Sequence, residues 1–71
     1  MSIPIRAPIT GRVWKIERQP GDQVAAGETV IILESMKMEV PIESPAAGVL
    51  SAISVAEGDA VEEGAVVATL G

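Results

Sequence analysis

One side chain near the middle of this chain can act as a nucleophile toward an activated acyl group. It is Lys37, in the run ESMKMEV (Glu34 to Val40), with Met36 and Met38 on either side and Glu34 and Glu39 just beyond them. A primary amine on a flexible stem is a group that another enzyme can acylate. The chain offers few parts for chemistry of its own. It has no histidine, cysteine or tyrosine, and no serine stands beside a plausible base, so nucleophilic and general acid–base catalysis lack their components. No GxGxxG or GxxxxGK run is present to cradle a phosphate. Without cysteine or histidine, zinc and other transition metals have no usual ligands, which leaves only carboxylate sites for calcium or magnesium as a formal option. The two Gly-Asp pairs, Gly21-Asp22 and Gly58-Asp59, could suggest a metal site. Turn chemistry explains them better, with glycine supplying positive φ and aspartate a side-chain bond to the local backbone. The expectation is a domain that is not an enzyme and whose lysine receives a group.

A lysine that meets other enzymes must be held out from the fold, and the flanking sequence shows how. In IILESMKMEVPI, Ile31 and Leu33 share one face, as do Val40 and Ile42. If Met36 and Lys37 form the turn of a hairpin, Leu33 faces Val40 and Ile31 faces Ile42, with both pairs pointing inward. Shifting both strands by one residue keeps the parity, so alternation does not settle the turn. Local preference does not select it either, because two-residue hairpins favour Asn-Gly and similar pairs that tolerate positive φ. This register also sets Glu34 opposite Glu39, a like-charge contact that costs a fraction of a kcal/mol. Two local rules broken within six residues point to function at the tip. Met38 falls on the inward parity and is expected to divide its role between core filling and the tip; Met36 is expected to do less core filling.

The supporting structure is a duplication. Residues 7–33 lie on residues 44–70 without a gap at an offset of 37, and nine of the 27 pairs are identical. All six internal glycines pair with one another, so both halves are expected to bend at the same places. Between the glycines lie short β-branched runs: GRVWKI, ETVIILES, MEVPIES, GVLSAIS and AVVATL. Bounded by Pro, Gly and Gly-Asp, these read as strands of a small sandwich or barrel. Neither copy can bury a sheet face by itself, so the two pack together about a pseudo-twofold axis. Pro41, inside one run, calls for an N–H position that faces outward or lies at an edge, and Trp14, the only aromatic, is expected on a partly covered outer face. The symmetry counterpart of Lys37 is the gap between the chain ends near Gly71 and Met1, so tip and termini should lie at opposite ends.

Composition narrows the class. At 71 residues this is one domain, residues 1–71, since chains of this size bury only about 60% of their unfolded surface. A formal net charge of -5 repels nucleic acid and anionic membrane surfaces alike. The longest strictly apolar runs, VIIL at Val30 to Leu33 among them, are far short of the ~20 residues that span a bilayer. The start MSIPIRAP does not read as a secretory leader. A cytoplasmic, monomeric protein or piece of one is expected.

ESMKM, followed by PIESPAAGVL and EGDAVEEGAVV, resembles the biotinyl domain of biotin carboxyl carrier proteins and biotin-dependent carboxylases, whose usual motif is Glu-Ala-Met-Lys-Met. The resemblance spans essentially the whole chain. It implies an all-β flattened barrel, a barrel-sandwich hybrid of two four-stranded antiparallel sheets, with biotin joined by an amide to Lys37 at the hairpin tip. It implies three partners: a biotin protein ligase that recognises the folded tip, a biotin carboxylase and a carboxyltransferase, with biotin carrying a carboxyl group between the last two. Met36 and Met38 match the flanking methionines, Glu34 matches the motif glutamate, and Ser35 replaces the usual alanine. These four are assigned to ligase recognition and the tip. Some carriers have an inserted thumb after the first long strand, but here ERQP matches SVAE in length, so none is expected. Lipoyl domains share this fold, with lipoate on the tip lysine, but usually have Asp before it and Ala or Val after it. The same barrel also occurs as an unmodified interaction module, as in efflux adaptor proteins, which need no MKM tip.

Overall fold

The structure, a computed structural model, describes residues 2–71. Among them are eight strands and no helix: β1 (Ile3–Arg6), β2 (Gly11–Ile16), β3 (Gln23–Val24), β4 (Thr29–Ser35), β5 (Met38–Glu43), β6 (Gly48–Ile53), β7 (Ala60–Val61) and β8 (Val66–Leu70). They form two four-stranded sheets, ordered β5-β4-β2-β7 and β1-β8-β6-β3, with every pairing antiparallel. Each sheet takes strands from both halves of the duplication, so neither half has a complete sheet without the other. This is the expected flattened barrel of two sheets.

The symmetry extends to individual pairings. Leu33↔Val40 and Ile31↔Ile42 in one sheet correspond, at the offset of 37, to Leu70↔Ile3 and Ala68↔Ile5 in the other. Bulges are repeated as well: β2 has one between Val13 and Lys15 and β6 has one between Leu50 and Ala52. The equivalence therefore runs beyond residues 7–33 and 44–70, because Ile3-Pro4-Ile5 lies on Val40-Pro41-Ile42 and both triplets form edge strands. Proline has no N–H for the ladder, so both prolines suit an edge.

The core obeys the same rule. Its thirteen buried apolar residues and the buried Ser44 resolve into seven symmetric pairs: Ile5/Ile42, Ala7/Ser44, Val13/Leu50, Val24/Val61, Val30/Val67, Ile31/Ala68 and Leu33/Leu70. Ser44 takes the place of an alanine without an unmet hydroxyl, donating from Oγ to the Ala46 carbonyl at 2.6 Å. The Gly-Asp pairs are turns, as their composition indicates. Asp22 Oδ2 accepts from the Gln19 N–H at 2.8 Å and Asp59 Oδ2 from the Ala56 N–H at 2.9 Å, while Gly21 and Gly58 each have φ 95°.

Three strands escape the residue reading. β3 and β7 have two residues each, too few for alternation to register, and β1 is masked by Pro4 and Arg6. Trp14 sits at the β2 bulge, about half exposed. Lys37 and Gly71 lie at opposite ends. The Gly71 N–H donates to the Val49 carbonyl at the start of β6, and β6 follows the Ser44 turn that closes β5 away from its tip. Met1, the other terminus invoked for that end, lies outside the described residues.

One polar clamp departs from the symmetry. Glu28 accepts the Ala25 N–H at 2.9 Å and the Arg18 Nε–H at 2.7 Å, whereas its counterpart is Ala65. The Ala25 hydrogen bond first, and Arg18 second, hold the Glu28 carboxyl below its usual pKa of 4.5. A depressed folded pKa adds stability that is complete above the unfolded value and is lost as pH falls through the folded one. Glu28→Gln should therefore be less stable than the parent near neutrality, and the gap should close in acid. Urea denaturation at neutral pH and at acid pH measures both.

Candidate functional site

The hairpin that carries Lys37 is built in the expected register. β4 and β5 pair through Leu33↔Val40, Glu34↔Glu39 and Ser35↔Met38, which leaves Met36 and Lys37 as the two-residue turn. Both adopt positive φ, 51° and 64°, the left-handed backbone that a two-residue type I′ turn requires. For a residue with a side chain this region costs about 1–2 kcal/mol, and these are the only non-glycine residues among those described that occupy it. Strand pairing behind the turn holds them there, so the tip residues are not the ones that turn propensity would choose.

Around the lysine the side chains face solvent. Lys37 is exposed, Met36 is 89% exposed and Met38 61%. The core-filling role considered for Met38 is thereby corrected. Parity does put it on the side of Val40 and Ile42, but exposure rises steadily along β5 from Ile42 through Val40 to Met38, because the hairpin runs past the end of the core. Among the described residues Lys37 is in no ion pair, and neither is Glu34 or Glu39; the two salt bridges present join Lys15 to Glu17 and Arg18 to Glu28. Arg12 is the β2 neighbour of Glu34, yet its guanidinium donates to the Gly58 carbonyl at 3.1 Å. The two glutamates therefore stand opposite each other without a cation between them.

Gly11 supports the site in a way that the repeat did not show. The duplication suggests a bend at both Gly11 and Gly48, but both begin ordinary strands and the positive-φ glycines are Gly21, Gly27, Gly58 and Gly64. The need at Gly11 is space: a Cβ there would lie 2.8 Å from the Glu34 carbonyl oxygen and 3.4 Å from Ser35 Cβ. Its counterpart Gly48 would meet only the Leu70 side chain, at 3.9 Å. The base of the tip hairpin thus rests on bare backbone, and Ser35 fits above it because it is small. Gly11→Ala is expected to destabilise by about 1–3 kcal/mol, as overpacking against backbone does. Gly48→Ala should be neutral or stabilise by about 0.4–1 kcal/mol by narrowing the unfolded ensemble. Chemical denaturation of the two variants side by side tests the asymmetry.

A symmetric two-sheet barrel that lifts a single lysine on a strained two-residue tip defines a class of small all-β domains built to present one amine. The chain belongs to the biotin/lipoyl family, described as biotin-requiring enzymes, which matches residues 1–70. It is 37% identical over 70 residues to the biotinylated protein TB7.3 homolog of Mycobacterium leprae, covering 99% of each chain. It is 44% identical over 62 residues to the biotin/lipoyl attachment protein of Bacillus subtilis, covering 87% of this chain and 85% of that one. Among solved structures, the Kluyveromyces lactis urea carboxylase superposes on 99% of this chain with a TM-score of 0.94 and 37% identity, over 6% of its own length. The chain thus corresponds to nearly all of the small relatives and to one domain of a large carboxylase.

Proposed function

We propose that Lys37 is the attachment point for biotin and that the domain is the carrier in a biotin-dependent carboxylase. The single observation that carries this assignment is the pair of strained, exposed residues Met36 and Lys37, which among the described residues are the only non-glycines in left-handed backbone. Membership in the biotin/lipoyl family supports biotin as the group, as do the two small relatives, named a biotinylated protein and a biotin/lipoyl attachment protein. The methionines on both sides of Lys37 favour biotin over lipoate.

The tip suits such a group. The amine is exposed and, among the described residues, outside any ion pair, so it is accessible for a group to be joined to it by a covalent bond. Once deprotonated, Lys37 Nζ attacks an activated carboxyl carbon, the leaving group departs, and an amide replaces the amine. Acylation removes one positive charge and takes the formal net charge from -5 to -6, since -5 - 1 = -6. When bound, biotin supplies a ring nitrogen that carries a carboxyl group. The chain's own contribution is positional: a rigid two-sheet base holds the tip in one shape for the ligase, while the lysine stem provides reach.

On this reading a biotin protein ligase recognises Glu34, Ser35, Met36 and Met38 around the tip, and the loaded arm serves a biotin carboxylase and then a carboxyltransferase. The protein would work as a cytoplasmic monomer among these partners. The test is an intact mass after expression with biotin, lipoate and both ligases available, followed by sequencing of the modified peptide. A biotinyl increment on Lys37 is expected. A lipoyl increment would move the domain to 2-oxo acid dehydrogenase or glycine-cleavage chemistry, and an unmodified mass would leave an interaction module.

A further inference from the structure

The chain holds three sulfur atoms, all in methionines, since it has no cysteine. Two of the three, Met36 and Met38, flank Lys37, and the fold uses neither of them in its core, where every buried apolar residue is aliphatic and free of sulfur. Met36 is 89% exposed and Met38 61%. A thioether is polarizable and weakly nucleophilic, and access governs how readily it takes up oxygen. Among the described residues the two most exposed large apolar side chains are thus both thioethers, and they sit where a partner must close on the amine.

We propose that Met36 and Met38 form a reversible oxidation site that gates the loading of Lys37. The oxidant class is a peroxide. A sulfur lone pair attacks one peroxide oxygen, the O–O bond breaks, the thioether becomes a sulfoxide, and the peroxide is reduced to water or an alcohol. A methionine sulfoxide reductase reverses the change: two thiols become a disulfide and the sulfoxide oxygen leaves as water. The consequence follows from exposure. Oxygen added to a buried methionine would disrupt the core, but these two side chains reach past its end. The turn is held by the Ser35↔Met38 backbone pairing and the ladder behind it, so the fold is indifferent to the change. What changes is the surface offered to the ligase: two apolar contacts beside Lys37 become polar, above Glu34 and Glu39, which already face each other without a cation. An oxygen pressed into an apolar contact without a hydrogen-bond donor is strongly disfavoured.

The inference rests on the reading of Lys37 as the attachment point, and the experiment separates the two. Unloaded protein is oxidised with hydrogen peroxide, the peptides are mapped, and initial rates of biotin transfer by purified biotin protein ligase are compared before and after. Expected are one added oxygen on each of Met36 and Met38, an unchanged thermal midpoint, and a transfer rate lowered about tenfold, as a polar group buried without a partner would give. Methionine sulfoxide reductases should restore the rate. The double variant Met36→Leu with Met38→Leu, whatever its own starting rate, should show no change on peroxide treatment. Equal rates before and after, with both sulfoxides confirmed, overturn the gate. A double leucine variant as peroxide-sensitive as the parent also overturns it, because the lesion then lies elsewhere. Untreated protein that accepts no biotin overturns the Lys37 reading and the gate together, whereas the other two results leave that reading intact.

Discussion

Replacing Lys37 by arginine is expected to abolish biotin attachment completely and to leave the fold unchanged. Arginine keeps the positive charge and the long stem, but its guanidinium stays protonated and its nitrogens are delocalised, so it does not attack an activated carboxyl. The substitution touches nothing in the core, because Lys37 is exposed and makes no ion pair among the described residues. Such changes alter stability by no more than about 0.5 kcal/mol. The chain has only one other lysine to take over, Lys15. Lys15 is exposed too, but it lies within β2 beside the Trp14 bulge, paired with Ile32 across the ladder and with its Nζ 3.6 Å from Glu17. It has an accessible amine but not the tip. Intact mass and denaturation of Lys37→Arg therefore ask what the ligase recognises. No increment and an unchanged midpoint mean that it reads the hairpin; an increment relocated to Lys15 would mean that any exposed amine suffices, and would remove the tip from the mechanism.

Much of this site was legible because the duplication and the hairpin alternation constrain each other. Once residues 7–33 lie on 44–70, the linking segment must join one copy to the next. The parity of Ile31, Leu33, Val40 and Ile42 then limits the lysine to the end of a hairpin. The left-handed backbone of Met36 and Lys37 could not be read from propensity, which argues against it; it appears only once both strands are paired up to Ser35 and Met38. Exposure at Met38 was misjudged for a related reason. Alternation gives the face on which a side chain lies, but it does not say where the opposing layer ends. Gly11 was hidden in the opposite way. Its pairing with Gly48 suggested one shared backbone need, whereas the structure gives Gly11 a close neighbour that Gly48 lacks, and no symmetric comparison can reveal an asymmetric contact. Strand β1 was within reach: extending the offset to Pro4/Pro41 and Ile5/Ile42 would have identified it as the counterpart of the far half of the hairpin.

The second large effect is expected at Leu33, which ties the tip to the core. Leu33 is fully buried, pairs with Val13 on one side and Val40 on the other, and is related by the pseudo-axis to Leu70, which is buried as well. Truncation to alanine in a close-packed core costs about 2–5 kcal/mol. At roughly 0.05–0.15 kcal/mol per residue, a domain this small has only about 4–11 kcal/mol in all. Leu33→Ala should therefore remove a large part of the total stability, lower the urea midpoint steeply, and reduce biotin loading in proportion to the unfolded fraction. Met38→Ala is the contrasting variant. It lies closer to the lysine but is mostly exposed, so its midpoint should shift by no more than about 0.5 kcal/mol, while loading falls through lost contact with the ligase. If Leu33→Ala keeps its midpoint, the buried pairing beneath the tip is not what holds Met36 and Lys37 in their strained turn. If Met38→Ala loses stability as Leu33→Ala does, the boundary drawn here between a packed base and a solvent-facing tip is misplaced. Distinct outcomes for the two variants follow directly from the architecture: the strands beneath the tip contribute the free energy that keeps two side-chain-bearing residues in a left-handed turn, and the tip is free to present chemistry because it contributes almost none.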